Sequence, residues 1–297
     1  KPDTEITVTA GATQAIFTAI AATVQKGDEV IIFTPAYDSY GPSIEANGGI
    51  PLEIEMQPPE FKIDWKKVRQ SVTGKTRMII INTPHNPTGS ILSDQDMKEL
   101  SDLTAGSSII ILSDEVYEHM IFDGERHNSV ARYPELADRS FLVASFGKTF
   151  HNTGWKMGYC AAPVELMTEF RKIHQFNVFS VNHPMQKAIA TYLNDPENYD
   201  YLPGFFESKR DVFIQALEGS RFTVIPSKGT YFQLLGYSEI SEEGDMELSR
   251  RLTVEHKVAS IPVSAFYRNH TDHNLLRFCF AKSEETLLRG AEILRKL

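Results

Sequence analysis

The 297 residues carry 30 Lys and Arg against 39 Asp and Glu, a net charge of −9, and a pI near 5.5 excludes the basic footprint of a nucleic-acid binder. With 41% hydrophobic and 23% charged residues, the composition is that of an ordinary soluble protein, long enough for one large domain or two smaller ones. No apolar run approaches a membrane span and no signal peptide is visible, so no membrane partner and a cytoplasmic location are expected. Cys160 and Cys279 each lie inside a hydrophobic run and are expected as buried thiols without a disulfide.

Lys1-Pro2-Asp3 runs at once into Ile6-Thr7-Val8-Thr9, a strand pattern, so the chain reads as beginning within a fold. Gly11 then opens a helix in which Ile16, Ala19, Ile20 and Thr23 share one face. The free N–H groups of Ala12 and Thr13 at its start form an anion site, or simply an ordinary helix entry. After Lys26-Gly27-Asp28, Glu29 to Phe33 is a strand ending in Thr34-Pro35-Ala36-Tyr37-Asp38-Ser39-Tyr40. Tyr37, just past that strand end, suits stacking on a planar ligand as well as loop packing. Gly49 to Glu55 is a strand and Asp64 to Val72 a helix.

Met78 to Asn82 is a buried strand followed by Thr83-Pro84-His85-Asn86-Pro87-Thr88-Gly89. Prolines on both sides of Asn86 restrict it, which presents its amide to a ligand oxygen or builds a turn. Ser93 caps a helix to about Leu103, with Asp96 near its N3 position. Ser107 to Leu112, very apolar, leads into Ser113-Asp114-Glu115-Val116-Tyr117. An aspartate at the end of a buried strand needs a cation or a strong donor. A protonated ring nitrogen would serve; a helix cap is the plainer alternative. Tyr117, three residues on, faces the same crevice.

Phe141 to Ala144 is the next strand, and Ser145-Phe146-Gly147-Lys148 follows it. Ligands of open α/β sheets bind beyond the carboxyl ends of the strands. A partly desolvated lysine there is a usable nucleophile toward aldehydes; an ordinary surface lysine is the plainer alternative. Met157 to Ala162 is a further strand. Strand and helix patterns thus alternate from Ile6 to Ala162, which predicts a mostly parallel sheet with helices on both faces.

Val164 to Asn194 is helical with a break near Asn182-His183-Pro184, and Tyr199 to Leu217 is helical again. Strands over Phe222–Ile225, Thr230–Leu235, Val258–Ile261 and Leu275–Phe280, with a closing helix Glu284–Leu297, predict a smaller α+β domain. The division falls at 1–190 and 191–297. Arg277 inside Leu275-Leu276-Arg277-Phe278-Cys279-Phe280 requires a carboxylate from protein or ligand.

Asn86-Pro87-Thr88-Gly89, Ser113-Asp114-Glu115-Val116-Tyr117, Ser145-Phe146-Gly147-Lys148-Thr149-Phe150 and Thr153-Gly154-Trp155-Lys156 resemble the signature blocks of class I and II aminotransferases, fold type I, dependent on pyridoxal 5'-phosphate (PLP). Order and spacing match, and Val8 to Gln14, Pro35 to Tyr40 and Leu276 to Phe280 fit as well. The resemblance runs through essentially the whole chain and is nearest to the methionine and kynurenine aminotransferase (glutamine transaminase K) branch.

The resemblance implies Lys148 as the Schiff-base lysine and Asp114 as partner of the pyridinium nitrogen. It implies Asn86 and Tyr117 on the ring's phenolic oxygen, with Tyr37 against the ring face. Ser145, Lys156 and the N–H groups of Ala12 and Thr13 would hold the phosphate, and Arg277 the substrate carboxylate. The implied activity is transfer of an amino group from an L-amino acid of methionine, glutamine or aromatic type to a 2-oxo acid. β-Elimination from a cysteine conjugate and a ligand-sensing regulator are the alternatives.

His151-Asn152 departs from the family's small hydroxyl residues, and the family's N-terminal segment has no counterpart here. A homodimer is implied. Phe176 and Phe179, in the polar stretch Gln175 to Asn182, suit burial against a partner subunit or against the chain's own C-terminal part.

Overall fold

The computed structural model describes residues 1–297. Eleven strands form two sheets. The larger contains β1 (Ile6–Thr9), β2 (Glu29–Thr34), β3 (Ile50–Glu55), β4 (Thr76–Asn82), β5 (Ile110–Asp114), β6 (Ser140–Ser145) and β7 (Gly158–Ala161), in the order β1-β7-β6-β5-β4-β2-β3. The five strands from β6 to β3 in that order run parallel, as the alternating pattern predicts. β7 is antiparallel to both β6 and β1. The connection from β6 to β7 holds only the short helix Phe146–Thr149 and the helical turn Thr153–Trp155, with no long crossover helix, in keeping with the antiparallel pairing.

Every residue of β5 is buried, as are five of the six in β2 and in β6. Such strands need cover on both faces. One face packs against the helix Ala12–Thr23 and the helix Val164–Asn177, through Ile16, Ile20, Phe141, Phe170 and neighbours. The other face packs against the helix Asp94–Thr104 and, unexpectedly, against the second sheet and the segments flanking its strands: Leu234 and Leu275 of the sheet, with Ile225, Val263 and Tyr267 beside it, share its hydrophobic cluster. The second sheet has the order β10-β11-β9-β8, from β8 (Thr223–Val224), β9 (Phe232–Gly236), β10 (Ile261–Pro262) and β11 (Leu275–Cys279), all antiparallel.

The helix capped by Ser93 carries the full reciprocal capping box with Asp96. The break at Pro184 is real: the helix His183–Leu193 starts there, with the Asn182 side chain accepting from the Met185 N–H at 3.1 Å. Two helices differ from expectation. Tyr40–Ala46 is helical although it contains Gly41-Pro42, because proline in a first turn forfeits no internal hydrogen bond. Asp245–Val254 was not foreseen among the strands of the C-terminal half, and it buries Leu248 and Leu252. Cys160 is buried as expected, but Cys279, at the end of a strand of the small sheet, is only partly so. Phe176 and Phe179 are 87% and 81% exposed, so they do not pack on the chain's own C-terminal part. No helix is long and apolar enough to cross a membrane.

Two glycines fix where the first long helix begins. Gly11 caps it with φ +82°, a conformation open to glycine at little cost. Gly158 lies beside it, and a methyl group there would sit 2.6 Å from the Ala144 carbonyl oxygen and 3.1 Å from the Ala12 nitrogen. Gly158→Ala is therefore expected to cost about 1–3 kcal/mol by overpacking, measured as a lowered urea midpoint. An unchanged midpoint would show that the strand ends are not held this tightly.

Candidate active site

Three parallel strands end at one place. β4 ends in Asn82, β5 in Asp114 and β6 in Ser145. In register, Asn82 lies opposite Asp114, and its amide braces the junction. Nδ2 donates to the Asp114 carbonyl at 2.8 Å, while Oδ1 accepts from the Asn86 N–H at 2.9 Å. Chain direction alone thus brings the loops carrying Asn86, Asp114–Tyr117 and Lys148 together.

The cavity between them measures about 580 Å³. Its walls include Ala12, Thr13, Tyr37, Asn86, Asp114, Tyr117, Ser145, Lys148 and Lys156, all nine residues singled out for a cofactor. The backbone at Ala12 and Thr13 opens the helix toward it, and Lys156, in a left-handed conformation at φ +54°, lies close beside Gly11 at the same helix start. Thr13 Oγ1 and the Tyr37 hydroxyl share a hydrogen bond at 3.0 Å, which fixes the Tyr37 ring at the cavity edge. Arg277 approaches from β11. Its Nη1 donates to Asn86 Oδ1, and its guanidinium lies 3.9 Å from the Phe232 ring centre and 4.7 Å from that of Phe266. No carboxylate of the chain pairs with it, and its Nε is buried without a partner.

Asp114 is 3% exposed. Burial pushes its carboxyl up from 3.8 to about 6, opposed by the Tyr40 hydroxyl and the Val116 N–H. Tyr40, itself buried, donates to Oδ2 at 2.6 Å, and Val116 N–H reaches Oδ1 at 3.3 Å. The chain supplies this carboxylate with neutral donors and no paired cation. Tyr117 keeps its proton, because burial and the adjoining Tyr231 hold its phenol well above the usual range. Lys148 sits in the short helix Phe146–Thr149, and its Nζ donates to the Tyr231 hydroxyl at 2.9 Å. Gly147 lets the following loop pass close by: a methyl group there would lie 3.1 Å from Thr153 Cα.

Sequence reading missed three residues here. Tyr40 repeats the aromatic of Tyr37 three positions on, Asn82 is a polar strand end, and Tyr231 follows Gly229-Thr230 at the start of an apolar strand. Each carried a signal, but none that distinguishes a site residue from packing.

A lysine, a buried carboxylate short of a cation, a helix start open to an anion and a guanidinium short of an anion define a site for amine chemistry on an α-amino acid. The comparisons are in accord. The model of the family "Aminotransferase class I and II" matches residues 1–294, and the chain belongs to that family. It is 49% identical over 296 residues to the methionine aminotransferase of Escherichia coli (strain K12), spanning 99% of this chain and 77% of that one. It is 36% identical to the kynurenine–oxoglutarate transaminase of Dictyostelium discoideum, over 99% and 77% of the two chains. Among solved structures, an E. coli protein with methionine aminotransferase function superposes with a TM-score of 0.98 at 48% identity, covering 100% of this chain and 79% of that one. An aromatic aminotransferase from Pyrococcus horikoshii superposes at 0.92 with 31% identity, covering 100% and 80%. The chain is an aminotransferase.

Asp114 supplies a pH signature in cofactor-free protein. Between 3.8 and about 6 the folded carboxyl holds a proton that the unfolded one has released. This contribution therefore destabilises the fold as pH rises through that window, by about 3 kcal/mol at 1.36 kcal/mol per pKa unit. Asp114→Asn should remove it, so that the variant gains on the parent between pH 4 and pH 7 in urea unfolding. A pH-independent difference would contradict the assignment.

Proposed function

We propose that the cavity holds pyridoxal 5'-phosphate and that the enzyme moves the amino group of an L-amino acid with an apolar side chain, methionine foremost, to a 2-oxo acid. The observation that carries this reading is the single cavity lined by all nine residues, with Arg277, its Nε unpartnered, bonded to the lining residue Asn86. Residues 1–190 would form the cofactor-binding unit and residues 191–297 the smaller unit that supplies Arg277.

The residues present suit that cofactor. The backbone N–H groups of Ala12 and Thr13, with Ser145 and Lys156, would take its phosphate, since a helix start and an ammonium both favour an anion. Asp114 would meet the ring nitrogen, and Tyr37 the ring face. Asn86 and Tyr117 would donate to the phenolic oxygen; Tyr117 is protonated as that requires. When bound, such a cofactor is an electron sink for charge developing on the substrate Cα. The chain does the rest. Asp114 holds a proton at the ring nitrogen, Arg277 orients the substrate carboxylate through a two-point contact, and the free amine of Lys148 moves the proton of Cα.

Support for an apolar substrate comes from the relatives and from a second cavity. Lys148 also lines a space of about 680 Å³ whose walls include Phe150, Trp155, Tyr192, Tyr201, Phe205 and Phe206. Borohydride added after pyridoxal phosphate is expected to fix the cofactor to Lys148, and methionine with a 2-oxo acid should then yield amino-group transfer. Label on another lysine would overturn the site. Pyruvate released from a cysteine conjugate, with no transfer from methionine, would favour β-elimination instead.

The enzyme is further proposed to be a C₂ homodimer, with exposed Phe176 and Phe179 meeting the partner subunit. Sedimentation at micromolar concentration should give the dimer mass, and Phe176→Ser with Phe179→Ser should shift it toward monomer. A monomeric parent protein, with and without cofactor, would refute this.

A further inference from the structure

We propose that Tyr231 is a positioning residue for the Lys148 amine, presenting it in the free state in which it must act as a base. The inference rests on the reading of Lys148 given above. The Lys148 Nζ donates to the Tyr231 hydroxyl at 2.9 Å, across from the second sheet.

The backbone around Tyr231 is built to keep that hydroxyl in place. The Lys228 N–H donates to the Gly89 carbonyl at 2.9 Å, the Phe122 N–H to the Lys228 carbonyl at 3.0 Å, and the Thr230 N–H to the Met120 carbonyl at 3.0 Å. The segment is thereby tied to the two loops that carry Asn86 and Tyr117. Gly229 admits no side chain: a methyl group would meet Pro84 Cβ at 2.6 Å and the Met120 carbonyl oxygen at 2.8 Å. Thr230 is fully buried at φ +69°, a conformation that β-branched residues rarely adopt. Backbone strain of this kind persists only where surrounding structure enforces it, and it clusters at functional sites.

The Tyr231 ring is fixed as well. It stands edge-on to Tyr117 with centres 5.3 Å apart and to Phe232 with centres 4.7 Å apart. A lysine amine on a flexible four-carbon stem has no such order of its own. Accepting one N–H at a fixed oxygen selects one direction for the amine. Proton transfer is sensitive to that direction, because a misplacement of about 1 Å costs about 100-fold.

Tyr231→Phe removes the oxygen and keeps the ring. In cofactor-free protein, labelling of Lys148 by methyl acetimidate, measured against Lys156 in the same digest, is expected to rise at least about threefold as the amine is released from its partner. In loaded enzyme, kcat for methionine should fall about 10- to 100-fold, with the Cα-deuterium isotope effect on kcat enlarged. KM should stay within about twofold, since no contact assigned to the substrate carboxylate changes. Unchanged Lys148 labelling overturns the proposal, and so does a kcat within about twofold with the same isotope effect. If the variant does not take up cofactor, the labelling ratio alone decides. Borohydride label on Lys148 together with parent-like behaviour of Tyr231→Phe would sink this inference only; label elsewhere would sink the reading beneath it.

Discussion

A carboxylate at the closed end of a fully buried strand governs this site. Asp114 has left water, and a carboxyl that does so takes up a proton unless donors or a cation meet it. The chain meets it halfway. Tyr40 and Val116 donate, yet burial still dominates and the carboxyl titrates near 6. The fold thus keeps a near-neutral acid at the point where β4, β5 and β6 end. A ring cation arriving there would be bound because it completes an arrangement that the protein alone leaves unbalanced.

Arg277 states the same logic with the opposite charge. It is stacked between Phe232 and Phe266 and bonded only to a neutral amide, with one N–H unsatisfied. A carboxylate entering beside Asn86 would supply what is missing. Arg277 bonds the Asn86 side chain, and Asn82 ties the Asn86 backbone to that of Asp114, so the two unbalanced charges of opposite sign are linked through one pair of amides.

The parallel sheet, the strand ends and the residues around the cavity were legible because each rests on a local rule. Apolar runs such as Met78–Asn82 read as buried strands, and the Asp114 that follows Ser107–Leu112 read as needing a partner in the crevice, while Asn82 passed unmarked. What stayed illegible depends on partners distant in sequence. Tyr40 meets Asp114 across 74 positions and Lys148 meets Tyr231 across 83. Nothing local marks either tyrosine as other than core. The helix Tyr40–Ala46 was hidden for a different reason, since Gly41-Pro42 reads as a turn before its position in the first helical turn is known. The antiparallel return of β7 is in keeping with a short connection rather than with a residue pattern.

The apolar cluster shared by the two sheets limits how this enzyme can admit substrate. Ile225, Leu234, Val263, Tyr267 and Leu275 are seated in the core of the larger sheet. Swinging the C-terminal sheet away would rehydrate all five, at about 1.5–3 kcal/mol each, on the order of 10 kcal/mol together. A substrate bound at millimolar affinity releases only about 4 kcal/mol. Wide opening of the two halves is therefore too costly to accompany each turnover. Small rearrangements of loops and side chains around the cavity avoid that cost, because they leave this shared cluster buried.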